Sequence, residues 1–141
     1  MILRDILRTK GSSVHSIHPS ATLAEVVNRL VEHNCGSLVV CENEQMVGII
    51  TERDILRACA FNGGTLAEKL VRDSMTTNVT IGSPDDSIGD TMGLMTDRRI
   101  RHLPILEEGK LAGLISIGDV VKSQHDNLEV ENHLLKNYIQ S

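Results

Sequence analysis

The chain repeats itself. The stretch GIITERD, Gly48 to Asp54, returns as GLISIGD, Gly113 to Asp119, 65 residues later. The offset holds without a gap from Val14–Arg57 onto Val79–Lys122, with identities at Val14/Val79, Pro19/Pro84, Leu38/Leu103, Glu42/Glu107, Gly48/Gly113, Ile50/Ile115 and Asp54/Asp119. Seven identities in 44 positions are weak alone, but the apolar pattern stays in register: Leu23/Ile88, Val27/Met92, Leu30/Met95, Val40/Ile105, Met46/Leu111, Ile49/Leu114 and Ile55/Val120 all pair. A duplication of this kind restricts the chain to two copies of one folding unit. A length of 141 residues allows one compact domain or two small units sharing a core, and no multidomain enzyme.

Each copy reads as strand, helix, strand, strand, helix. A short strand near Val14 or Val79 leads to a turn at Pro19 or Pro84 and then to a helix opened by Thr22 with Glu25, or Ser87 with Asp90, a capping-box spacing. Leu23, Val26, Val27 and Leu30 form its apolar stripe. Two apolar runs follow as a hairpin, Ser37–Cys41 with Met46–Thr51 around Glu42-Asn43-Glu44, and Leu103–Leu106 with Leu111–Ser116 around Glu107-Glu108-Gly109. Ile55–Ala60 reads as helix, stopped by Asn62-Gly63-Gly64. A lead-in helix precedes each copy, at Leu3–Leu7 and Leu66–Met75, where LRDIL is echoed by VRDSM at an offset of 68. A last segment, Asp126–Gln140, carries Leu128, Leu134, Leu135, Tyr138 and Ile139 on one loosely helical face and is expected to dock on its own chain or a partner's.

Composition narrows the functions. Phe61 and Tyr138 are the only aromatics, so the core must be aliphatic and stacking of bases on rings is nearly excluded. A net charge of -5 repels a phosphate backbone, which argues against a nucleic-acid surface. Cys35, Cys41 and Cys59 form no CxxC and read as free thiols of a reducing compartment. Neither a signal-peptide core nor a membrane-length apolar run occurs, so the expectation is a soluble, cytoplasmic protein. No nucleophile motif and no phosphate-binding glycine loop occurs, which argues against an enzyme. His15, His18 and His33 lack an established ligand spacing, so no metal is expected. Met75, Met92 and Met95 read as core filler.

The repeated ending can serve two ends. A glycine admits a close neighbour, Thr51 or Ser116 ends a strand, and Asp54 or Asp119 falls in the first turn of the next helix, a grouping suited to a ribose diol. The same residues could act only at the helix start, the hydroxyl as cap and the acid on the helix dipole. Capping alone does not require glycine, hydroxyl and carboxylate together, twice, at one offset.

This doubled pattern, together with IRHLPI at Ile100–Ile105, resembles a tandem pair of CBS domains, the module named after cystathionine β-synthase. The resemblance implies an α+β fold of two β-α-β-β-α repeats about a pseudo-twofold axis, with lead-in helices and a C-terminal helix. It divides the chain into 8–67, 74–130 and a helical tail at 131–141. It further implies a regulatory module without catalysis of its own, binding an adenosine-type ligand in clefts between the repeats. AMP is the first choice and NAD(H) the second, with ATP and S-adenosylmethionine also in the family's range; an adenine nucleotide, a homodimeric partner and an effector protein are the implied contacts. The alternative is a constitutive dimerisation scaffold with vestigial clefts. Carried over by position, Thr51 with Asp54 and Ser116 with Asp119 hold ribose, and Arg53, Arg101 and His102 reach phosphate. Val14, Val79, Leu103 and Pro104 complete the ligand-site positions. Arg53 is matched by Gly118, Arg101 and His102 by Gly36 and Ser37, and Pro104 by Val39, so the two sites are expected to differ. Apart from that resemblance, DRRIRH at Asp97–His102 reads as a solvated basic loop.

Overall fold

The computed structural model describes residues 1–61 and 63–140, residue 140 by its backbone alone. In chain order the elements are α1 (Leu3–Lys10), β1 (Ser16–Ile17), α2 (Leu23–His33), β2 (Ser37–Glu42), β3 (Gln45–Thr51), α3 (Glu52–Phe61), a 3₁₀ turn (Leu66–Glu68), α4 (Val71–Ser74), α5 (Ile88–Arg98), β4 (His102–Glu107), β5 (Lys110–Ser116) and α6 (Ile117–Gln140). Among the described residues, no helix is long and apolar enough to cross a membrane.

The repeat is reproduced residue by residue. Thr22 Oγ1 accepts from Glu25 N at 3.2 Å and Ser87 Oγ from Asp90 N at 3.1 Å, so α2 and α5 start alike. They also stop alike, on left-handed Asn34 (φ 49°) and Arg99 (φ 54°). Both hairpins turn on two residues of positive φ, Asn43 with Glu44 and Glu108 with Gly109, the geometry whose twist matches the strands. The register slips at Val40/Cys41 in one and at Ile105/Leu106 in the other. A bulge conserved between copies bends both strands at the same point.

The copies part at their first strand. β1 pairs in parallel with β2 through Ser16 with Val39 and Ile17 with Val40, and Val39 N donates to His15 O at 3.2 Å. In the second copy Pro104 stands where Val39 does and has no N–H to give. The strand expected near Val79 shrinks to one bridge, Gly82 with Ile105, held by Gly82 N to Pro104 O at 2.9 Å and Leu106 N to Gly82 O at 3.0 Å. Val14 likewise lies outside β1.

Two compact units result, one of residues 13–80 and one of residues 1–12 with 81–141. Leu23, Val26, Leu38, Val40, Ile50 and Val71 centre the first core. Leu103, Ile105, Ile115 and Met95 centre the second, together with Leu3 and Ile6 of α1. The helix that leads into the first copy thus packs with the second. Leu3 is 0% exposed, and truncating such a side chain costs about 2–5 kcal/mol, so α1 is part of that core.

One expectation needs correction. The lead-in helix over Leu66–Met75 is broken, because Lys69 and Leu70 are extended to bond the entry of α2: Leu23 N donates to Lys69 O at 2.9 Å and Val71 N to Ala21 O at 2.8 Å. Thr65 makes no side-chain cap. The expected C-terminal helix is present as the last part of α6, which runs on from the second motif, and Leu128 at 56% and Leu134 at 63% exposure face away from the core. Of the expected breaker Asn62-Gly63-Gly64, Asn62 lies outside the described residues, as does Ser141 of the tail.

Candidate functional site

At the first motif β3 ends on Thr51 and α3 begins one residue later, which puts Asp54 in the first turn. Asp54 is 6% exposed, and burial of a carboxylate demands hydrogen-bond donors. Its Oδ2 accepts from Thr51 N at 2.9 Å and Thr51 Oγ1 at 3.2 Å, while Asp54 N donates to Thr51 Oγ1 at 3.4 Å. That is a reciprocal capping box. A further donor comes from the segment after α4, where Thr76 Oγ1 lies 3.2 Å from Oδ1. Thr76 is held there by the strand it extends: Ile49 N donates to Thr76 O at 3.0 Å and Thr76 N to Ile49 O at 2.9 Å.

This pairing accounts for the motif glycine. A Cβ on Gly48 would lie 2.7 Å from Thr76 O and 3.0 Å from Met75 Sδ. The close neighbour that the sequence calls for is a piece of the same chain.

The second motif is built in parallel with one exchange of chemistry. Asp119 Oδ2 accepts from Ser116 N at 2.9 Å, and Asp119 N donates to Ser116 Oγ at 3.1 Å. The remaining donor is Lys10 at the end of α1, whose Nζ is 2.6 Å from Asp119 Oδ2 and 2.7 Å from Leu114 O. Leu114 and Asp119 occupy the repeat positions of Ile49 and Asp54, so one ammonium serves the two acceptors that Thr76 serves with its N–H and hydroxyl. Burial pushes the Asp119 carboxyl up, but the Lys10 hydrogen bond, the Ser116 amide and the ammonium charge outweigh it and hold the group below its ordinary value. At Gly113 a Cβ would meet Leu7 Cδ2 at 2.5 Å.

The remaining sequence-derived positions are divided between the units. Val14, Thr51, Arg53, Asp54 and Val79 belong to the unit of residues 13–80, and Arg101, His102, Leu103, Pro104, Ser116 and Asp119 to the other. Arg53 is exposed in the first turn of α3. Arg101 is exposed at the entry of β4, its carbonyl accepting from Ile117 N at 2.8 Å, and His102 faces Ser116 across the hairpin. Leu103 and Pro104 are buried, whereas Val14 and Val79 are half-buried.

Ser37, the counterpart of His102, faces Thr51 across the first hairpin. It is 3% exposed, and its hydroxyl finds no partner among the described residues. Beside Asp54 opens a groove of about 250 Å³ lined by Arg57, Ala58, Phe61, Met75 and Thr76 among others. That is below the roughly 300–1,000 Å³ of pockets that enclose drug-sized ligands, and suits a group of ribose size.

Outside the motifs, the rings of His15 and His33 stack at 3.8 Å. His125, Asp126 and Glu129 form an exposed charged turn of α6, with separations of 3.9 and 3.6 Å. All five of these side chains are exposed.

The family model of the CBS domain matches residues 3–60 and 71–126. The chain belongs to the CBS domain family. CBS relatives include the mitochondrial CBS domain-containing protein CBSX3 of Arabidopsis thaliana, 34% identical over 98% of this chain and 71% of its own length. The CBS domain-containing protein YhcV of Bacillus subtilis is 32% identical over 84% of each chain. The crystal structure of a CBS-domain containing protein from Agrobacterium tumefaciens covers 88% of this chain and 99% of its own at 37% identity, with a TM-score of 0.85. At 23% identity, and so for the fold alone, the CBS domain pair of protein MJ0100 covers 90% of this chain and 98% of its own with a TM-score of 0.79; it was crystallised with 5′-methylthioadenosine and S-adenosyl-L-methionine. The chain is thus an α+β CBS pair.

Thr76 and Lys10 were not singled out by sequence. The echo of LRDIL in VRDSM does align Leu7 with Met75, the side chains that meet the two motif glycines. It does not align the donors, since Thr76 falls opposite Arg8 and Lys10 opposite Asn78.

Proposed function

We propose that this CBS pair is a non-catalytic regulatory module that binds an adenine nucleotide at its two strand-to-helix motifs, AMP first and NAD(H) second. The observation that carries the reading is the duplicated carboxylate: Asp54 and Asp119 each stand at the start of a helix beside a hydroxyl, on copies that match in caps, turns and bulge. An acceptor pair of this kind suits the vicinal hydroxyls of ribose. The adenosyl ligands of the MJ0100 pair support the choice of ligand class. Arg53, Arg101 and His102 are the proposed phosphate contacts, with Val14, Val79, Leu103 and Pro104 as neighbouring walls. The nucleotide transmits to an effector only the difference in its affinity for two conformations. We place the module in a reducing compartment, the cytoplasm, on its free Cys35, Cys41 and Cys59. A homodimer is proposed on the exposed apolar residues of α6, and a monomeric mass by light scattering at micromolar concentration would exclude it.

A second reading has its own observation. Asp54 is already satisfied by Thr51 and Thr76, as a purely structural capping box would be. The scaffold reading follows if that is its whole role. Thermal shift with AMP, NADH, ATP and S-adenosylmethionine separates the two, because a ligand of the native state raises Tm. Asp54→Ala and Asp119→Ala should each weaken binding by about 1.5–3 kcal/mol at their own motif, the range for a bond to a charged group. No shift with any of the four at millimolar concentration leaves the scaffold.

A further inference from the structure

The geometry points to Lys10 as the residue that sets what the second motif accepts: a ligand with an anionic group besides its vicinal diol, because there the diol takes a carboxylate that a cation holds, whereas at the first motif it displaces only neutral donors. The inference rests on the nucleotide reading above and deepens it.

The two motifs offer the same pair of acceptors, a strand carbonyl and the helix-start carboxylate. Thr76 covers Ile49 O and Asp54 with neutral donors at 2.9 and 3.2 Å. Lys10 covers Leu114 O and Asp119 with one cation at 2.7 and 2.6 Å. Asp119 Oδ2 thereby holds both Lys10 and the Ser116 amide, while its Oδ1 accepts nothing from the described residues. A diol that spans a carboxylate needs both oxygens, so at Asp119 it must displace the ammonium.

Lys10 is placed to yield. It is the last residue of α1, its side chain is 37% exposed, and Gly11 follows at φ 95°. Its four-carbon stem lets the ammonium swing while Leu3 and Ile6 stay in the core. Once displaced, the cation has lost a carboxylate and needs another anion. A 5′-phosphate on the ligand supplies it; a neutral nucleoside does not. At the first motif the side-chain donors to displace are the neutral hydroxyls of Thr51 and Thr76, and no charge is left over.

The test is titration calorimetry of AMP and adenosine on the full chain carrying Asp54→Asn, so that the second motif reports, followed by Lys10→Ala and Lys10→Arg in that background. AMP should bind about tenfold or more tighter than adenosine, the lower end for a charge-assisted bond. Lys10→Ala should shrink the preference for AMP several-fold and tighten adenosine, because Asp119 Oδ2 then holds only the Ser116 amide. Lys10→Arg should keep the preference for AMP. Equal weakening of both ligands by Lys10→Ala would make Lys10 a structural residue and overturn the inference. A parent protein that binds AMP while the Asp54→Asn protein binds neither ligand would overturn the inference alone. A parent that binds neither would overturn the nucleotide reading with it.

Discussion

Adding one methyl at each motif glycine tests the claim that a segment of this chain holds both strands. At Gly48 the methyl meets the Thr76 carbonyl at 2.7 Å, and a backbone oxygen can retreat only by breaking the bridge to Ile49, whose bonds are 3.0 and 2.9 Å. Two lost hydrogen bonds at about 1 kcal/mol each and overpacking of about 1–3 kcal/mol outweigh the roughly 0.4–1 kcal/mol that alanine returns by restraining the unfolded chain. The net loss expected for Gly48→Ala is about 3 kcal/mol. At Gly113 the nearer neighbour is the tip of Leu7, at 2.5 Å, and no backbone atom is as close. Leu7 is only partly buried and can change rotamer, so Gly113→Ala should cost about 1 kcal/mol, the low end of overpacking. Urea denaturation of both variants gives the two values. Leu7→Ala should be milder in the Gly113→Ala background than in the parent, a coupling read from a double-mutant cycle. Equal costs at the two glycines, or no coupling to Leu7, would refute the distinction between backbone and side-chain neighbours.

Two further outcomes follow from the site. Because the folded Asp119 carboxyl lies below its ordinary value, its pairing stabilises the fold above the unfolded-state value of about 4 and loses that contribution as pH falls through the lower folded value. The stability difference between parent and Lys10→Ala should therefore shrink as the pH is lowered from neutral to the acid side of 4, as about 4 is the ordinary carboxyl value, and a constant difference would exclude Asp119 as the partner. Ser37→Ala should leave stability unchanged or raise it by up to about 1 kcal/mol, since it removes a buried hydroxyl without a partner among the described residues, and a loss above about 1 kcal/mol in the same denaturation assay would show that the hydroxyl is bonded in solution.

What the sequence determined by itself was the periodic part. Each helix and hairpin of the repeat is a local matter, decided by the cap at Thr22 or Ser87, the apolar stripe behind it, and a two-residue turn such as Glu108-Gly109. These signals lie within a few residues of the elements they control. The motif carboxylates were legible for the same reason, since Thr51 with Asp54 and Ser116 with Asp119 are three apart and form their capping boxes without outside help. The lead-in segments were another matter. Leu66–Met75 carries a helical pattern, yet Lys69 and Leu70 are drawn straight by bonds to Ala21 and Leu23, partners more than forty residues away in sequence, whose claim on the backbone outweighs a short helix's own propensity. Pro104 advertised a difference between the copies, but its effect is visible only across the sheet, where the missing N–H leaves Gly82 a single bridge. The donors at the two carboxylates were hidden most deeply. Lys10 is 109 residues from Asp119 and Thr76 is 22 from Asp54, and neither stands in a motif. Their roles arise because α1 packs into the core of the second copy and the segment after α4 into that of the first, so only the tertiary structure decided that one carboxylate faces an ammonium and the other a hydroxyl.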